Sequence, residues 1–277
     1  MSTRADLDLR AAVNAISDVI MNRPRPLREF DQIHMKAGDM VMQAEFVARW
    51  ADGKSLVFIG DGDAISVCVA YLQAREILPY GPSTIRVLDF DERVVGAVKR
   101  FADHERLSNL DAARYNCLEA LPELDRFDMF YTNPPWGASN GGASVKLFAY
   151  RGMQATAFGG EGLVVIADDE ELAWAQAVLS ATQSFAHDQG FYVSRMVPRL
   201  HAYHLDDAPD LLSCNLQLRA LPSEKRPQPR GLNVDQEFLK NFYGAGKAPR
   251  VRYVLERKRL DYGRAHEDEY ELEMLDV

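Results

Sequence analysis

Ser55-Leu-Val-Phe-Ile59 is a short unbroken apolar run, closed at once by Gly60-Asp-Gly-Asp63. A continuous apolar run of this length reads as a strand buried on both faces, the kind found in parallel sheets. The residues that follow change period. Ile65, Cys68, Val69 and Leu72 fit one face of a helix. After the punctuation of Pro79 to Ser83, Thr84-Ile-Arg-Val-Leu88 is a second strand and ends at Asp89-Phe-Asp-Glu92. Val94, Ala97, Val98 and Phe101 then share a helical face. Arg126-Phe-Asp-Met-Phe-Tyr-Thr132 runs into Asn133-Pro-Pro-Trp136, and a helix is expected from Ala143 to Ala157. Gly162-Leu-Val-Val-Ile-Ala167 is a further strand that ends at Asp168-Asp-Glu-Glu171, and Phe191 to Val197 and Leu211 to Leu218 read as two late strands. Strands alternating with helices give an α/β fold, a mostly parallel sheet with helices on both faces. In such Rossmann-like sheets a ligand binds outside the carboxyl ends of the strands, where the strand order switches.

The flanks differ in character. In the first 52 residues Leu9, Val13, Ile16, Val19 and Ile20 recur at helical spacing, Asn22-Arg-Pro-Arg-Pro26 breaks the pattern, and a second helical run covers about Asp39 to Trp50. Residues 53–221 form the expected catalytic domain. Residues 222–277 read as an extension that opens with a loop, Pro222 to Gly231, and closes with an acid-rich, solvated tail from Glu267 to Asp276. Lys plus Arg is 32 and Asp plus Glu is 41, a net charge of −9. A duplex nucleic-acid partner, which needs a basic stripe, is therefore not expected, whereas a small cationic substrate is compatible. Three scattered cysteines make neither a disulfide framework nor a zinc site, so no metal is expected. Met1 to Arg10 has no apolar core, and no apolar run approaches the roughly 20 residues of a membrane span. A cytoplasmic enzyme or binding protein, possibly a homo-oligomer, is the expectation.

Four strands end in polar or proline clusters, and each allows a specific chemistry. Gly60 lets the backbone pass close to a bound nucleoside. Asp61 and Asp63 around Gly62 would repel a pyrophosphate but suit a sulfonium with an ammonium on its tail, while Asp63 could instead cap the following helix. Asp89, with Phe90 beside it, stands where a carboxylate can accept both ribose hydroxyls; it lies 29 residues after Gly60, against the usual spacing of about 20. In Asn133-Pro-Pro-Trp136 the Asn133 oxygen and the Pro134 carbonyl can accept the N–H hydrogens of an amine and aim its lone pair. The prolines stiffen the turn, and Trp136 can stack on a planar amine or hold an ammonium by its ring face. Such a site works by orientation and electrostatics, without a covalent intermediate.

These three strand ends together resemble a class I S-adenosylmethionine-dependent transferase, whose fold implies a seven-stranded sheet. A closer resemblance is to the branched-chain polyamine synthases, the N4-bis(aminopropyl)spermidine synthases. It rests on Phe30-Asp-Gln32, Gly60-Asp-Gly-Asp-Ala-Ile-Ser66, Asn133-Pro-Pro-Trp-Gly137 with Asn140, Gly142 and Ser144, Arg151-Gly152, and His201-Ala-Tyr-His-Leu-Asp-Asp-Ala-Pro-Asp210. The resemblance implies polyamine biosynthesis, with transfer of an aminopropyl group from decarboxylated S-adenosylmethionine to a polyamine nitrogen. It implies that Gly60 to Asp63 hold the methionine-derived tail, Asp89 the ribose, and Asn116 the adenine. Asn133 and Trp136 would orient the amine, and Asp168, Asp169, Asp206 and Asp207 would hold ammonium groups, with His204 as a candidate base. The chain departs from the family where its turn has Gly62 in place of a further acid, and where the acceptor motif begins with Asn133 rather than Asp.

Three other readings stay open at this point, one of them a non-catalytic nucleoside- or polyamine-binding protein that keeps the fold. Asn133 also fits a nitrogen methyltransferase that uses intact S-adenosylmethionine on an amine, amide or base. Gly137-Ala-Ser-Asn-Gly141, followed by Asp168 and His201 or His204, matches the order of a serine hydrolase, although that nucleophile should sit directly between strand and helix.

Overall fold

The structure, a computed structural model, describes residues 7–136, 138–205, 210–258 and 269–275. Two helices lead in: α1, Leu9–Asn22, capped by the Asp8 side chain, and α2, Ala37–Trp50. Then come β1 (Ser55–Ile59), α3 (Ile65–Ala74), β2 (Thr84–Asp89), α4 (Glu92–Glu105), β3 (Leu110–Arg114) and β4 (Met129–Thr132). They are followed by α5 (Ala143–Ala155), β5 (Glu161–Ala167), α6 (Ala173–Asp188), β6 (Phe191–Ala202) and β7 (Leu212–Ala220). A short α7 (Gln236–Leu239) and the strands β8 (Val251–Glu256) and β9 (Tyr270–Met274) complete the chain.

The seven strands β1 to β7 form one sheet in the order β3-β2-β1-β4-β5-β7-β6. β1 pairs parallel with both β2 and β4, β2 with β3, and β4 with β5, while β7 runs antiparallel between β5 and β6. This is the Rossmann-like class I methyltransferase fold. The strand order reverses beside β1, so the carboxyl ends of β1, β2 and β4 flank the switch point. Leu56, Val57 and Phe58 of β1 are fully buried, as their unbroken apolar run requires of a central strand. The helices fall into two groups. α1 to α4 touch one another, and α5 and α6 pack together against β4 and β5.

Helix α5 lies close to the sheet because two glycines leave room for one ring. A Cβ on Gly152 would stand 2.2 Å from the Phe130 ring, and one on Gly162 of β5 would stand 2.1 Å from it. Phe130 itself is fully buried in β4.

Several elements depart from the sequence reading. β3 and α6 carry no strong pattern of their own: β3 is Leu-Asp-Ala-Ala-Arg, and only four residues of α6 are buried. The acid-rich end is not a solvated tail over Tyr270–Met274, because β9 pairs antiparallel with β8. Its acids are held by Arg252, which meets Glu273, and by Arg257, which meets Glu271. Val251 and Val254 of β8 pack with Leu27 and Phe30, and Phe242 is fully buried in the main core. The segment after residue 221 thus lies against the earlier domain through apolar contacts.

Filling the space reserved for Phe130 should destabilise the protein. Gly152→Ala is expected to lower unfolding free energy by about 1–3 kcal/mol. Gly38→Ala in α2, where an added Cβ meets nothing within 4 Å, should leave it unchanged or raise it. Urea unfolding of the two variants beside the parent checks this.

Candidate active site

A cavity of about 980 Å³, its mouth included, opens at the carboxyl ends of β1, β2 and β4. Its wall includes Gly60 to Asp63, Asp89 and Phe90, and Asn133 to Trp136. It also includes residues 30–34 from the link between α1 and α2, together with Tyr203 and Tyr243. The strand ends converge because β1 is paired on one side with β2 and on the other with β4.

The first turn is built by backbone geometry and one capping carboxylate. Gly60 has φ +75°, a left-handed conformation, and a Cβ there would press on the Phe148 ring at 3.1 Å. Asp61 caps α3: its Oδ1 accepts from the Ile65 N–H at 2.9 Å, and its Oδ2 accepts from the N–H and hydroxyl of Ser66. Capping therefore falls to Asp61 rather than Asp63, and the Asp61 carboxylate is engaged by the helix rather than left for a ligand. Burial pushes its pKa well up.

Asp89 is tied down in turn. Its Oδ2 accepts from the Asp61 N–H at 2.9 Å and its Oδ1 from the Asp91 N–H at 2.9 Å. Burial, and then the neighbouring Asp91 charge, push its pKa up to about 7. Asp91 is itself paired with Arg93 through two side-chain hydrogen bonds and receives Gln32 at 3.2 Å. Asp89 remains a carboxyl on the cavity wall with each oxygen holding one backbone donor, as a ribose-binding acid would be held.

Asp63 has a different set of partners. Its Oδ1 accepts from the Met35 N–H at 2.7 Å and its Oδ2 from the Asn133 Nδ2 at 2.8 Å. The Arg23 guanidinium stands 3.9 Å away and donates to the Asp63 carbonyl at 3.0 Å. Burial raises the Asp63 pKa, against the pull of Arg23 and the two hydrogen bonds. Asn133, with its nitrogen turned to Asp63, accepts from the Trp136 indole at 3.3 Å. The indole packs edge-on to Tyr203, with ring centres 5.4 Å apart. Behind the turn, Ser144 donates to the Pro135 carbonyl and accepts from Asn140, which also holds the Phe242 carbonyl at 3.1 Å. Asn133, Pro134, Trp136 and Asp63 thus stand together as the sequence reading expects.

Other expectations are not met. Asn116 lies on the wall, but its nitrogen donates to the Arg252 carbonyl at 2.6 Å and its oxygen accepts from the Leu118 N–H at 3.0 Å, so it secures β8. Asp168 and Asp169 are not on the cavity wall. Asp168 accepts from the Arg199 N–H at 2.8 Å and Asp169 from the Glu171 N–H at 2.8 Å. Asp168 thus ties the end of β5 to β6, and Asp169 closes its own turn. His204 is exposed and is not among the lining residues, though its N–H holds the His34 carbonyl. Asp206 and Asp207 lie outside the described residues. The hydrolase arrangement does not form: the His201 ring is bonded to Ser213 and Gln43, and Ser139 is exposed beyond the proline turn.

His34 and Tyr203 line the cavity without having been singled out. Burial and the nearby Arg23 charge push the His34 pKa down to about 3, so its ring is neutral at neutral pH. Sequence held a signal for both: His34 follows Phe30-Asp-Gln32 by two residues, and Tyr203 lies within the segment His201 to Asp210. No group of three or more His, Cys, Asp or Glu that could hold a metal ion occurs among the described residues.

Comparison with known proteins fits this architecture. The family model described as the branched-chain polyamine synthase A C-terminal domain matches residues 11–271. The chain belongs to this family. Two N(4)-bis(aminopropyl)spermidine synthases are similar to it. That of Thermococcus kodakarensis is 29% identical over 122 residues, 43% of this chain and 33% of the relative. That of Methanocaldococcus jannaschii is 27% identical over 142 residues, 50% of this chain and 37% of the relative. The chain thus spans about a third of the length of the curated relatives it matches. The crystal structure of the branched-chain polyamine synthase of Thermus thermophilus, in complex with N4-aminopropylspermidine and 5′-methylthioadenosine, superposes with TM-score 0.64. It is 23% identical, and the match covers 82% of this chain and 69% of that one.

The raised pKa of Asp89 has a signed consequence. In the folded protein it holds its proton to about pH 7, whereas an unfolded Asp loses its proton near 3.8. The folded state therefore binds more protons across that interval, and the Asp89 contribution to stability falls as pH rises from about 4 to 7, then levels. Unfolding free energies of the parent and of Asp89→Asn, measured at pH 5 and pH 8, should show the parent losing ground to the variant at the higher pH.

Proposed function

We propose that the protein transfers an aminopropyl group from decarboxylated S-adenosylmethionine to a polyamine or related amine nitrogen. The observation that carries the reading is the fixed Asn133 amide at the end of β4. Asp63 holds its nitrogen and Trp136 meets its oxygen, in the same cavity as the Gly60 turn and Asp89. The names of the relatives and the ligands of the Thermus protein support it.

In this reading the donor nucleoside lies along the Gly60 turn, with its ribose hydroxyls on Asp89. The amine enters at Asn133 and Trp136. The Asn133 oxygen and the Pro134 carbonyl accept its N–H hydrogens, which turns the lone pair toward the sulfonium carbon. The nitrogen forms a bond to that carbon as the carbon–sulfur bond breaks. The electron pair of that bond stays on sulfur, 5′-methylthioadenosine leaves, and one proton passes from the alkylated nitrogen to water. Asn133 has no basic group, so the amine must arrive unprotonated, and the rate is expected to rise with pH as more free amine is present. The aromatic wall of Trp136, Tyr203 and Phe148 excludes water from the reacting centre and can carry the cationic donor by contact with ring faces.

Asn133 also favours one second reading, a nitrogen methyltransferase using intact S-adenosylmethionine. Product mass separates the two: a transferred aminopropyl group adds a C3H8N fragment in place of a hydrogen, a methyl group adds CH3. Asn133→Ala should lower kcat by about 100-fold, the range for loss of an orienting group, with the dissociation constant of the decarboxylated donor changed less than about threefold. Steady-state release of 5′-methylthioadenosine with spermidine as acceptor, alongside a donor titration of the variant, checks it. A variant that turns over at the parent rate would remove Asn133 from the reaction.

A further inference from the structure

The strand order lays out the cavity from one end to the other. It runs β3-β2-β1-β4, so the Asn133 corner after β4 and the Tyr115 to Cys117 segment after β3 stand at opposite ends of the wall. Asp89 of β2 lies between them. With a donor ribose on Asp89, its 5′ carbon faces the corner where transfer occurs. The base leaves the other side of the ribose, toward Tyr115, Asn116 and Cys117.

The polar side chains on the strand side of that end are already engaged. Asn116 donates to the Arg252 carbonyl and accepts from the Leu118 N–H. The Tyr115 hydroxyl donates to the Glu119 carbonyl at 3.1 Å. Facing them is an aromatic wall drawn from three segments. Phe90, after β2, packs edge-on to Phe30 of the link between α1 and α2, with ring centres 5.2 Å apart. Tyr243, from the segment after residue 221, packs edge-on to the same Phe30 ring at 5.6 Å. All three rings line the cavity.

Tyr243 is held by its backbone and by its neighbour. Its N–H donates to the Lys247 carbonyl at 3.0 Å, and the Phe242 carbonyl before it accepts from Asn140 at 3.1 Å. The fully buried Phe242 ring meets the Tyr243 ring edge-on at 5.0 Å. The Tyr243 hydroxyl has no hydrogen-bond partner among the described residues. Burial, with Cys117 and Asp89 nearby, pushes its pKa well up, so it keeps its proton. A phenol in that state can donate and accept. Its ring can pack on a flat base while its hydroxyl meets a polar atom on the edge of that base.

We propose that Tyr243 is a donor-binding residue, through which the segment after residue 221 supplies the ring and the hydroxyl that hold the purine base of the donor. This is the role that the sequence reading gave to Asn116, whose amide instead secures β8. The inference rests on the transferase reading for the position of the nucleoside. It deepens that reading by placing recognition of the base on the C-terminal extension.

The probe is 5′-methylthioadenosine, which carries the base and ribose but no group to transfer. Tyr243→Phe keeps the ring contacts and removes only the hydroxyl. Calorimetric titration of the full chain should show 5′-methylthioadenosine bound about three- to tenfold more weakly by the variant, the size of one lost hydrogen bond. Urea unfolding of the variant should match the parent. In NMR of protein labelled with 13C at the tyrosine rings, the signal that Tyr243→Phe removes should shift in the parent when 5′-methylthioadenosine is added. Parental affinity in Tyr243→Phe, or a Tyr243 signal that the ligand does not move, would overturn the proposal while leaving the transferase reading standing. A parent that binds no 5′-methylthioadenosine would overturn both.

Discussion

The site depends on how one buried carboxylate is satisfied. Burying an ionised group without partners is costly, so a carboxylate in a turn must gather donors around it. Asp63 gathers the Met35 N–H, the Asn133 amide and, at longer range, Arg23. Those groups come from the link before α2, the turn after β4 and the segment after α1. The same contacts that stabilise Asp63 therefore close the cavity wall around the strand switch point and fix the Asn133 amide. The neighbouring acids work alike: Asp61 is answered by the start of α3, and Asp89 by the backbone of the two turns it joins.

The central sheet was legible because parallel strands buried on both faces leave unbroken apolar runs, as at Ser55–Ile59 and Glu161–Ala167. The polar clusters that end them were equally visible. β3 escaped because it borders the sheet and carries Asp111 and Arg114 among alanines. β8 and β9 escaped because their outer positions carry charge, so a two-stranded ribbon with Arg252 and Arg257 answering Glu273 and Glu271 looks in sequence like a solvated tail. Residue type alone could not say which of two adjacent carboxylates caps a helix: Asp61 does, because Ala64 in a left-handed conformation directs the N–H groups of Ile65 and Ser66 back to it. Nor could it say that Asn116 reaches a strand 136 residues away. Asp168 and Asp169 illustrate the opposite error, since a strand-end position brought them near the correct edge of the sheet but Asp168 binds the backbone of β6 and Asp169 closes a local turn.

The residue type at Asn133 sets the proton inventory of the corner. An acid at that position beside Asp63 would place two carboxyl groups at hydrogen-bonding distance, and they would have to share a proton. With Asn133 the pair is an amide and a carboxylate, Asp63 keeps its contact with Arg23, and the amide takes a defined orientation. An amide there leaves the corner with one titratable carboxyl in place of two while keeping a hydrogen bond to Asp63.

The measurement that bears most directly on the account is calorimetric titration of the protein with decarboxylated S-adenosylmethionine and, separately, with S-adenosylmethionine. The account predicts tighter binding of the decarboxylated donor, because the Asp63 carboxylate on the cavity wall would repel a carboxylate on the donor tail. Tighter binding of the intact donor would contradict aminopropyl transfer.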